Sequence, residues 1–235
     1  MQPRTLHQAA RELGKNFTEL PLLWQAPLPR LFSHIRHIEG WEHVESAHAQ
    51  GRGIVFLAPH LGCWEICGMY LASHMPCTAL YTPPKQAAAH EVMRAGRERS
   101  GIRTVPPGTS GVRALLTRLK AGEAVFILPD QVANQGEGVW LRVLDNPVYM
   151  PVLPYRLLER TGAAPLLAFA ERLPWARGYT LHIAPLPVVQ GLEAQAQVIG
   201  DAMSALIRKH AGQYLWSYGL FRHRNYMPPM PEHLQ

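Results

Sequence analysis

This chain of 235 residues has few of the features that decide a protein class at once, and cysteine is the scarcest of them. Its three cysteines are too few, and odd in number, for a disulfide framework. Reduced thiols in a cytoplasmic setting fit this count better. The spacing of Cys63 and Cys67 is not that of a zinc site, and no second cysteine pair follows. Neither a disulfide scaffold nor a zinc centre is predicted.

Long hydrophobic runs are also missing. The longest uncharged stretch, residues 66–84, contains a histidine and three prolines and is a poor candidate for a membrane span. The first residues carry Arg4, Arg11 and Lys15 without an apolar segment, so no signal peptide is seen. The sequence predicts a protein that is soluble or bound peripherally to a membrane.

The net charge is +6, but no run of five or six basic residues accounts for it. Scattered basic residues do not favour an arm that binds RNA or DNA, so nucleic acid is not a predicted partner. A basic surface also attracts anionic lipid or an acidic carrier protein. The charge alone does not choose between these two.

Short apolar runs alternate with helical patterns along the chain. Residues 54–57 (IVFL) and 124–128 (AVFIL) are typical of strands that are covered on both faces. Helical spacing predicts helices over Thr5–Trp24 and Val198–His210, and the prolines Pro21, Pro27 and Pro29 are expected to break the first of them. The alternation predicts a single α/β domain over residues 1–235, with a mixed, mostly parallel sheet flanked by helices.

His60 and Glu65 follow the first of these strands, at the sheet edge where α/β proteins bind ligands. A carboxylate can fix the tautomer of an imidazole, whose other nitrogen is then free to act as a general base. Gly62, between them, would let the backbone approach a substrate closely. The plainer alternative is a hydrogen-bonded core histidine beside a surface glutamate. Cys63 is interpreted as a packing residue, because no nearby basic cluster would lower the pKa of its thiol.

Four blocks in order carry a resemblance that covers most of the chain: GRGIVFLAPHLGCWE, RAGRERSG, LKAGEAVFILPDQ and QYLWSYGLFR. They resemble the bacterial lipid A biosynthesis acyltransferases, the late lauroyl and myristoyl transferases. The wider superfamily includes the glycerolipid acyltransferases, which share a His-Glu or His-Asp motif.

The resemblance implies transfer of an acyl chain from a thioester, usually on acyl-carrier protein, to a hydroxyl of an anionic lipid acceptor. By this resemblance His60 is the general base and Glu65 its partner. Arg97 and Asp130 match an arginine and an aspartate of the family, with roles in substrate binding or in stabilising an oxyanion. No metal or cofactor is implied. The expected location is the membrane surface at the cytoplasmic face of the inner membrane.

Several positions depart from the family pattern. The usual membrane-spanning helix is expected to be absent, since the chain starts after the place where it would lie. A tyrosine-arginine-proline triplet is replaced by residues 81–83 (YTP), where Lys85 is a candidate substitute for the arginine. The acidic residue expected after Asp130 is Val132, and the usual His-Arg-Arg is residues 218–220 (YGL).

These departures keep two other functions open. One is a lipid-binding family member without catalytic activity. The other is a hydrolase in which the same histidine activates water and releases free fatty acid from a thioester. The chain has no G-x-S-x-G motif, which disfavours a serine hydrolase.

Overall fold

Strands and helices alternate in the computed structural model, which describes residues 3–84 and 86–234. The apolar runs at 54–57 and 124–127 form strands as predicted. The elements in chain order are α1 (Pro3–Gln25), α2 (Leu28–Phe32), β1 (Ile35–Glu39), α3 (Trp41–Ala49), β2 (Ile54–Leu57), α4 (Trp64–His74), β3 (Cys77–Leu80), α5 (Ala87–Glu98), β4 (Ile102–Val105), α6 (Thr109–Lys120), β5 (Ala124–Ile127), β6 (Gly138–Val143), β7 (Asn146–Pro151), α7 (Leu153–Thr161), β8 (Ala164–Arg172), β9 (Tyr179–Pro185) and α8 (Leu192–Lys209).

Within the described residues, seven strands form one sheet in the order β1, β9, β8, β2, β5, β3, β4. Neighbouring strands are parallel except β8 and β9, which are antiparallel. The predicted α/β fold with a mixed, mostly parallel sheet is confirmed. Because β2 lies between β5 and β8 and is parallel to both, the carboxyl ends of these three strands share one edge.

Both faces of the central strand are buried, as the continuous apolar run of β2 predicted. Val55 and Leu57 belong to a hydrophobic cluster that includes residues of α6, α7 and α8. Ile54 and Phe56 belong to a second cluster that includes residues of α3 and α4. Helices therefore cover the sheet on both sides, and the polar side chains that follow the strands emerge only at its edge.

The helix predicted over Thr5–Trp24 is confirmed as α1 and ends before Pro27, but Pro21 lies inside it, so the predicted break at Pro21 was wrong. α1 continues to Gln25, because the packing of Leu23 in the core beyond the proline offsets the lost hydrogen bond and the ring clash that Pro21 causes. No helix in the described part of the chain, α1 included, combines the length and apolar character needed to span a membrane.

Strands β6 and β7 form an antiparallel hairpin that the sequence did not predict. The two residues of its turn, Leu144 and Asp145, both have positive φ, at 52° and 65°. Such turns usually contain asparagine and glycine, so the sequence signal was missing. The hairpin packs against α8, where the side-chain amide of Gln197 bonds both backbone groups of Arg142.

Candidate active site

His60 lies in the loop between β2 and α4, and this loop is held by backbone hydrogen bonds. Leu215 donates its N–H to the carbonyl of His60 at 2.8 Å. Cys63 donates its N–H to the carbonyl of Ala170 in β8, also at 2.8 Å. The position of the His60 backbone is therefore fixed by two segments that lie far from it in the sequence.

Gly62 lets this loop approach β8 closely. Its φ is +57°, and a Cβ atom at this position would lie 2.1 Å from the carbonyl oxygen of Ala170. The close approach is therefore to the protein's own strand, and not to a substrate as the sequence suggested. Glycine is required here by both backbone conformation and space.

Asp130 follows β5 and contacts His60 twice. Its Oδ1 lies 2.8 Å from the ring Nδ1, and its Oδ2 accepts the backbone N–H of His60 at 2.8 Å. Asp130 is fully buried and His60 is 5% exposed. Since a carboxylate accepts hydrogen bonds, the Nδ1 atom carries the proton and the Nε2 atom presents its lone pair.

The Nε2 atom of His60 is open to a ligand. No hydrogen bond to it is found within residues 3–84 and 86–234, and it is not among the buried polar atoms left without a partner. It therefore reaches solvent, although most of the ring is covered. This is the arrangement that a general base requires.

The predicted pairing of Glu65 with His60 was wrong. The Glu65 carboxylate instead accepts two hydrogen bonds from Arg97, from Nε at 2.6 Å and from Nη2 at 3.0 Å. Its Oε1 also accepts the indole N–H of Trp24 at 2.9 Å. In the described part of the chain, no hydrogen bond joins Glu65 and His60.

Strand adjacency explains this exchange of partners. Asp130 follows a strand that lies directly beside β2, so its carboxylate meets the loop of His60. Glu65 lies in the first turn of α4, where it contacts α5 through Arg97 and α1 through Trp24. The site therefore contains two pairs, His60 with Asp130 and Arg97 with Glu65.

Arg97 is the more exposed member of its pair, with a side-chain exposure of 27% against 6% for Glu65. Its guanidinium carbon lies 5.3 Å from the centre of the Tyr81 ring. Burial acts to lower the pKa of Arg97, but the charge and hydrogen bonds of Glu65 outweigh it, so the pKa is raised. Arg97 therefore stays cationic and is held in one orientation.

Tyr218, which entered the prediction only as a departure from the family pattern, lies in the site. Its ring stacks on the ring of His60, with a centroid distance of 3.8 Å and an interplanar angle of 22°. Burial, together with the charge of Asp130, raises the pKa of its hydroxyl, whereas Arg97 lowers it. Trp64 contacts His60 edge-on, at a centroid distance of 5.0 Å. Tyr218 stands where the family pattern has a histidine, which was the available signal.

Cys63 lies next to this site but is buried, with 2% exposure. Burial raises the pKa of its thiol to about 12, despite the opposing charge of Arg172. The packing role expected for Cys63 is therefore confirmed. The candidate substitute for the missing arginine, Lys85, lies outside the described residues.

Comparison with known proteins decides the family. Residues 3–223 match the model of the bacterial lipid A biosynthesis acyltransferase family. The chain belongs to this family. It is therefore an acyltransferase, and the resemblance in its four sequence blocks is confirmed.

Three proteins similar to this chain come from two organisms. The chain is 27% identical over 219 residues to the lipid A biosynthesis palmitoleoyltransferase of Escherichia coli K12, covering 91% of this chain and 70% of that protein. Identity to the lauroyltransferase of the same organism is 23% over 216 residues, covering 90% of this chain and 70% of that protein. The phosphatidylinositol mannoside acyltransferase of Mycobacterium tuberculosis CDC 1551 is 28% identical over 202 residues, covering 83% of this chain and 62% of that protein.

Proposed function

We propose that this acyltransferase moves a fatty acyl chain from an acyl thioester, on acyl-carrier protein, to a hydroxyl of a lipid A precursor. The observation that carries the proposal is the His60–Asp130 pair, which fixes the tautomer of the imidazole and leaves its Nε2 open. The names of the Escherichia coli relatives support a lipid A precursor as acceptor.

His60 acts as the general base. Its Nε2 takes the proton of the acceptor hydroxyl while that oxygen attacks the thioester carbonyl carbon. The tetrahedral intermediate then expels the thiolate of the donor, which receives the proton from the imidazolium. Asp130 stabilises the imidazolium while it carries both protons.

Arg97 binds negative charge in the site. Glu65 occupies its Nε and Nη2, and no hydrogen bond from Nη1 is found among the described residues. A guanidinium held in this way can donate to the oxyanion of the intermediate or to a phosphate of the acceptor. The first role would affect mainly kcat and the second mainly KM for the lipid, so the kinetics of Arg97→Lys separate them.

Charge supports the assignment of partners and location. A net charge of +6 suits an acidic carrier protein and a phosphorylated lipid. We place the enzyme at the cytoplasmic face of the inner membrane, where both substrates would meet. The described part of the chain would contact the membrane at its surface.

A direct assay tests the proposal. Purified protein is mixed with acyl-carrier thioester and a labelled lipid A precursor in detergent, and the products are separated by chromatography. We expect an acylated lipid from the wild type and a rate lower by about 10²–10⁴-fold for His60→Ala. His48→Ala, an exposed histidine on α3, is the matched control and should keep full activity.

The same assay separates the alternatives. Equal rates for the wild type and His60→Ala would remove His60 from the mechanism. Free fatty acid as the sole product would identify a hydrolase. Binding of the lipid without turnover would identify a family member that has lost catalysis, and a panel of acceptor lipids in the same assay would identify the accepted hydroxyl.

A further inference from the structure

The hairpin tip between β8 and β9 carries a solvent-exposed tryptophan. Trp175 is 94% exposed, although tryptophan is usually well covered in soluble proteins. Trp175 and Ala176 have positive φ, at 59° and 53°, a conformation that residues other than glycine rarely adopt. The turn therefore presents a large aromatic ring to the surroundings at some cost in backbone energy.

This tip lies at the edge of the sheet that carries His60. β8 is parallel to β2 and extends past its end, and Ala170 of β8 bridges to Gly62 of the catalytic loop. β8 ends two residues later, at Arg172, and the turn with Trp175 follows. The tip therefore projects from the same side of the molecule as the active site.

Two exposed arginines lie at the tip, and a third lies on the helix that precedes the neighbouring strand. Arg36 donates its Nε–H to the carbonyl of Arg177 at 3.0 Å, which places both at the hairpin, and Arg30 lies on α2, just before β1. No ion pair to any of these three is found among the described residues. Residues 20–38 and 172–192 contain no aspartate or glutamate. The acidic residues that flank these segments are engaged elsewhere, Glu39 and Glu171 with His182 and Glu19 with Arg172.

We infer that these four residues, Trp175, Arg177, Arg36 and Arg30, form a surface that docks on an anionic lipid membrane; we call it the Trp175 corner. The indole ring would lie at the level of the lipid head groups, where tryptophan is enriched in membrane proteins. The arginines would bind the anionic head groups. The inference rests on the proposed function, because it names the surface by which the active-site edge meets the membrane that holds the acceptor.

An acidic carrier protein is the competing occupant of this corner. The arginines would suit it equally well, but the exposed tryptophan favours the membrane. A tryptophan at a membrane interface buries its apolar ring and keeps its N–H close to water, so 94% exposure in the free protein is explained by a lipid surface.

Vesicle binding tests the tryptophan. Partition is measured by co-sedimentation with vesicles of phosphatidylglycerol and phosphatidylcholine in equal parts, and with phosphatidylcholine alone. We expect Trp175→Ser to lower partition to the anionic vesicles by about tenfold, from the apolar area that would leave water. The control is Val188→Ser, which changes a 61% exposed apolar residue in the loop after β9. This loop lies at the opposite end of the strands from the β8–β9 tip. This variant should bind as the wild type does.

A second pair of variants tests the charge. Arg30→Gln with Arg177→Gln should lower partition by about 30-fold at low salt, since each cation near an anionic surface contributes about a factor of five. Arg156→Gln with Arg160→Gln removes the same charge from the exposed face of α7 and should have a much smaller effect. Thermal unfolding midpoints of all variants confirm that each one is folded.

Brominated lipids report the depth of the ring directly. Quenching of tryptophan fluorescence by brominated phosphatidylglycerol vesicles should be strong in the wild type and reduced in Trp175→Ser. Unchanged partition and quenching in this variant would overturn the inference. Unchanged vesicle binding with weakened binding of acyl-carrier protein would assign the corner to the carrier instead.

The acyl-transfer assay in detergent keeps this inference separate from the proposed function. If the Trp175 variant transfers acyl chains normally in detergent and still binds vesicles as the wild type does, only the docking surface is wrong. If vesicle binding depends on Trp175 but no acyl transfer occurs in detergent, the docking surface stands and the proposed function fails.

Discussion

Asp130 constrains His60 at two points, through the ring Nδ1 and through the backbone N–H. The first contact selects the tautomer, and the second fixes the loop from which the ring projects. Tyr218 then limits the rotation of the ring by stacking on it. His60, which we propose as the general base, is thus held by a carboxylate, a backbone contact and an aromatic face. These contacts reduce the reorganisation needed during the reaction.

This geometry predicts that Asp130 affects the proton transfer directly. Asp130→Asn keeps the shape of the side chain but removes the charge that stabilises the imidazolium, and its amide group can favour the other tautomer. We expect kcat to fall by about 10² or more, measured in the acyl-transfer assay with saturating lipid.

Two variants make that prediction specific. Asp201→Asn, on the exposed part of α8, should leave kcat unchanged. Glu65→Gln should change the kinetics in the same way as a change of Arg97, because Glu65 orients the guanidinium. If Glu65→Gln and not Asp130→Asn reproduced the loss of the base, the carboxylates would have been assigned to the wrong partners.

The sequence indicated which side chains form the candidate site but not how they pair. His60, Glu65, Arg97 and Asp130 were all selected from it. A spacing of five residues suggested that His60 and Glu65 meet, whereas the contact with Asp130 depends on which strands are neighbours. Tyr218 comes from the end of the chain, and no local pattern shows that its ring reaches His60.

At the scale of elements, one buried arginine joins the first helix to the sheet. Arg172, the last residue of β8, is 5% exposed and donates its Nε–H to Glu19 of α1 at 2.9 Å. Its other nitrogens contact Glu12 and Asn16 of the same helix. α1 is thereby attached close to Cys63 and the loop that carries His60.

Removing this arginine should destabilise the fold. Arg172→Met removes the cation that Glu19 binds and leaves the buried carboxylate of Glu12 with Lys15 as its remaining cationic partner. We expect the free energy of unfolding to fall by about 3 kcal/mol, measured by urea denaturation. Adding Glu19→Gln should recover part of the loss, because the carboxylate left without a cation is then neutral.

The control for this variant is an exposed ion pair. Arg103→Met breaks the pair with Glu123, in which the arginine side chain is 49% exposed, and should cost less than about 1 kcal/mol. Equal losses for Arg172→Met and Arg103→Met would show that the buried network contributes no more than a surface contact.

Elements with a clear local sequence pattern were predicted, and elements without one were missed. β2 and β5 were found because four consecutive apolar residues are covered on both faces. The hairpin β6–β7 was missed because its turn residues, Leu144 and Asp145, are unusual at positive φ. Their conformation is maintained by contacts with α8, where the Ser204 hydroxyl accepts the N–H of Leu144 and Arg208 pairs with Asp145. Tertiary contacts of this kind cannot be recognised from a short stretch of sequence.

At the scale of the whole molecule, the three cysteines lie in one hydrophobic cluster on the face of the sheet covered by α3 and α4. Burial raises the pKa of all three thiols, to about 12 for Cys63 and Cys77. The thiolate, which is the reactive form, is therefore scarce in the folded protein, and the sulfur atoms are also out of reach of reagents.

This placement predicts that the native protein resists alkylation. Near pH 8, N-ethylmaleimide should modify the three thiols slower by orders of magnitude than in the urea-unfolded chain, where the pKa returns to its ordinary value. Mass spectrometry of timed samples gives the rate for each cysteine. Rapid modification of any of the three in the native state would contradict the buried arrangement.

Cys63 differs from the other two cysteines in the element that covers it. It lines a small cavity together with Asn16 and Leu23 of α1, so its cover is the amino-terminal helix. Alkylation at Cys63 ahead of Cys67 and Cys77 would record the lifting of α1 while the sheet stays intact. The thiol of Cys63 thus serves as a native chemical probe of partial opening beside the loop that carries His60, and no label has to be added to the sequence.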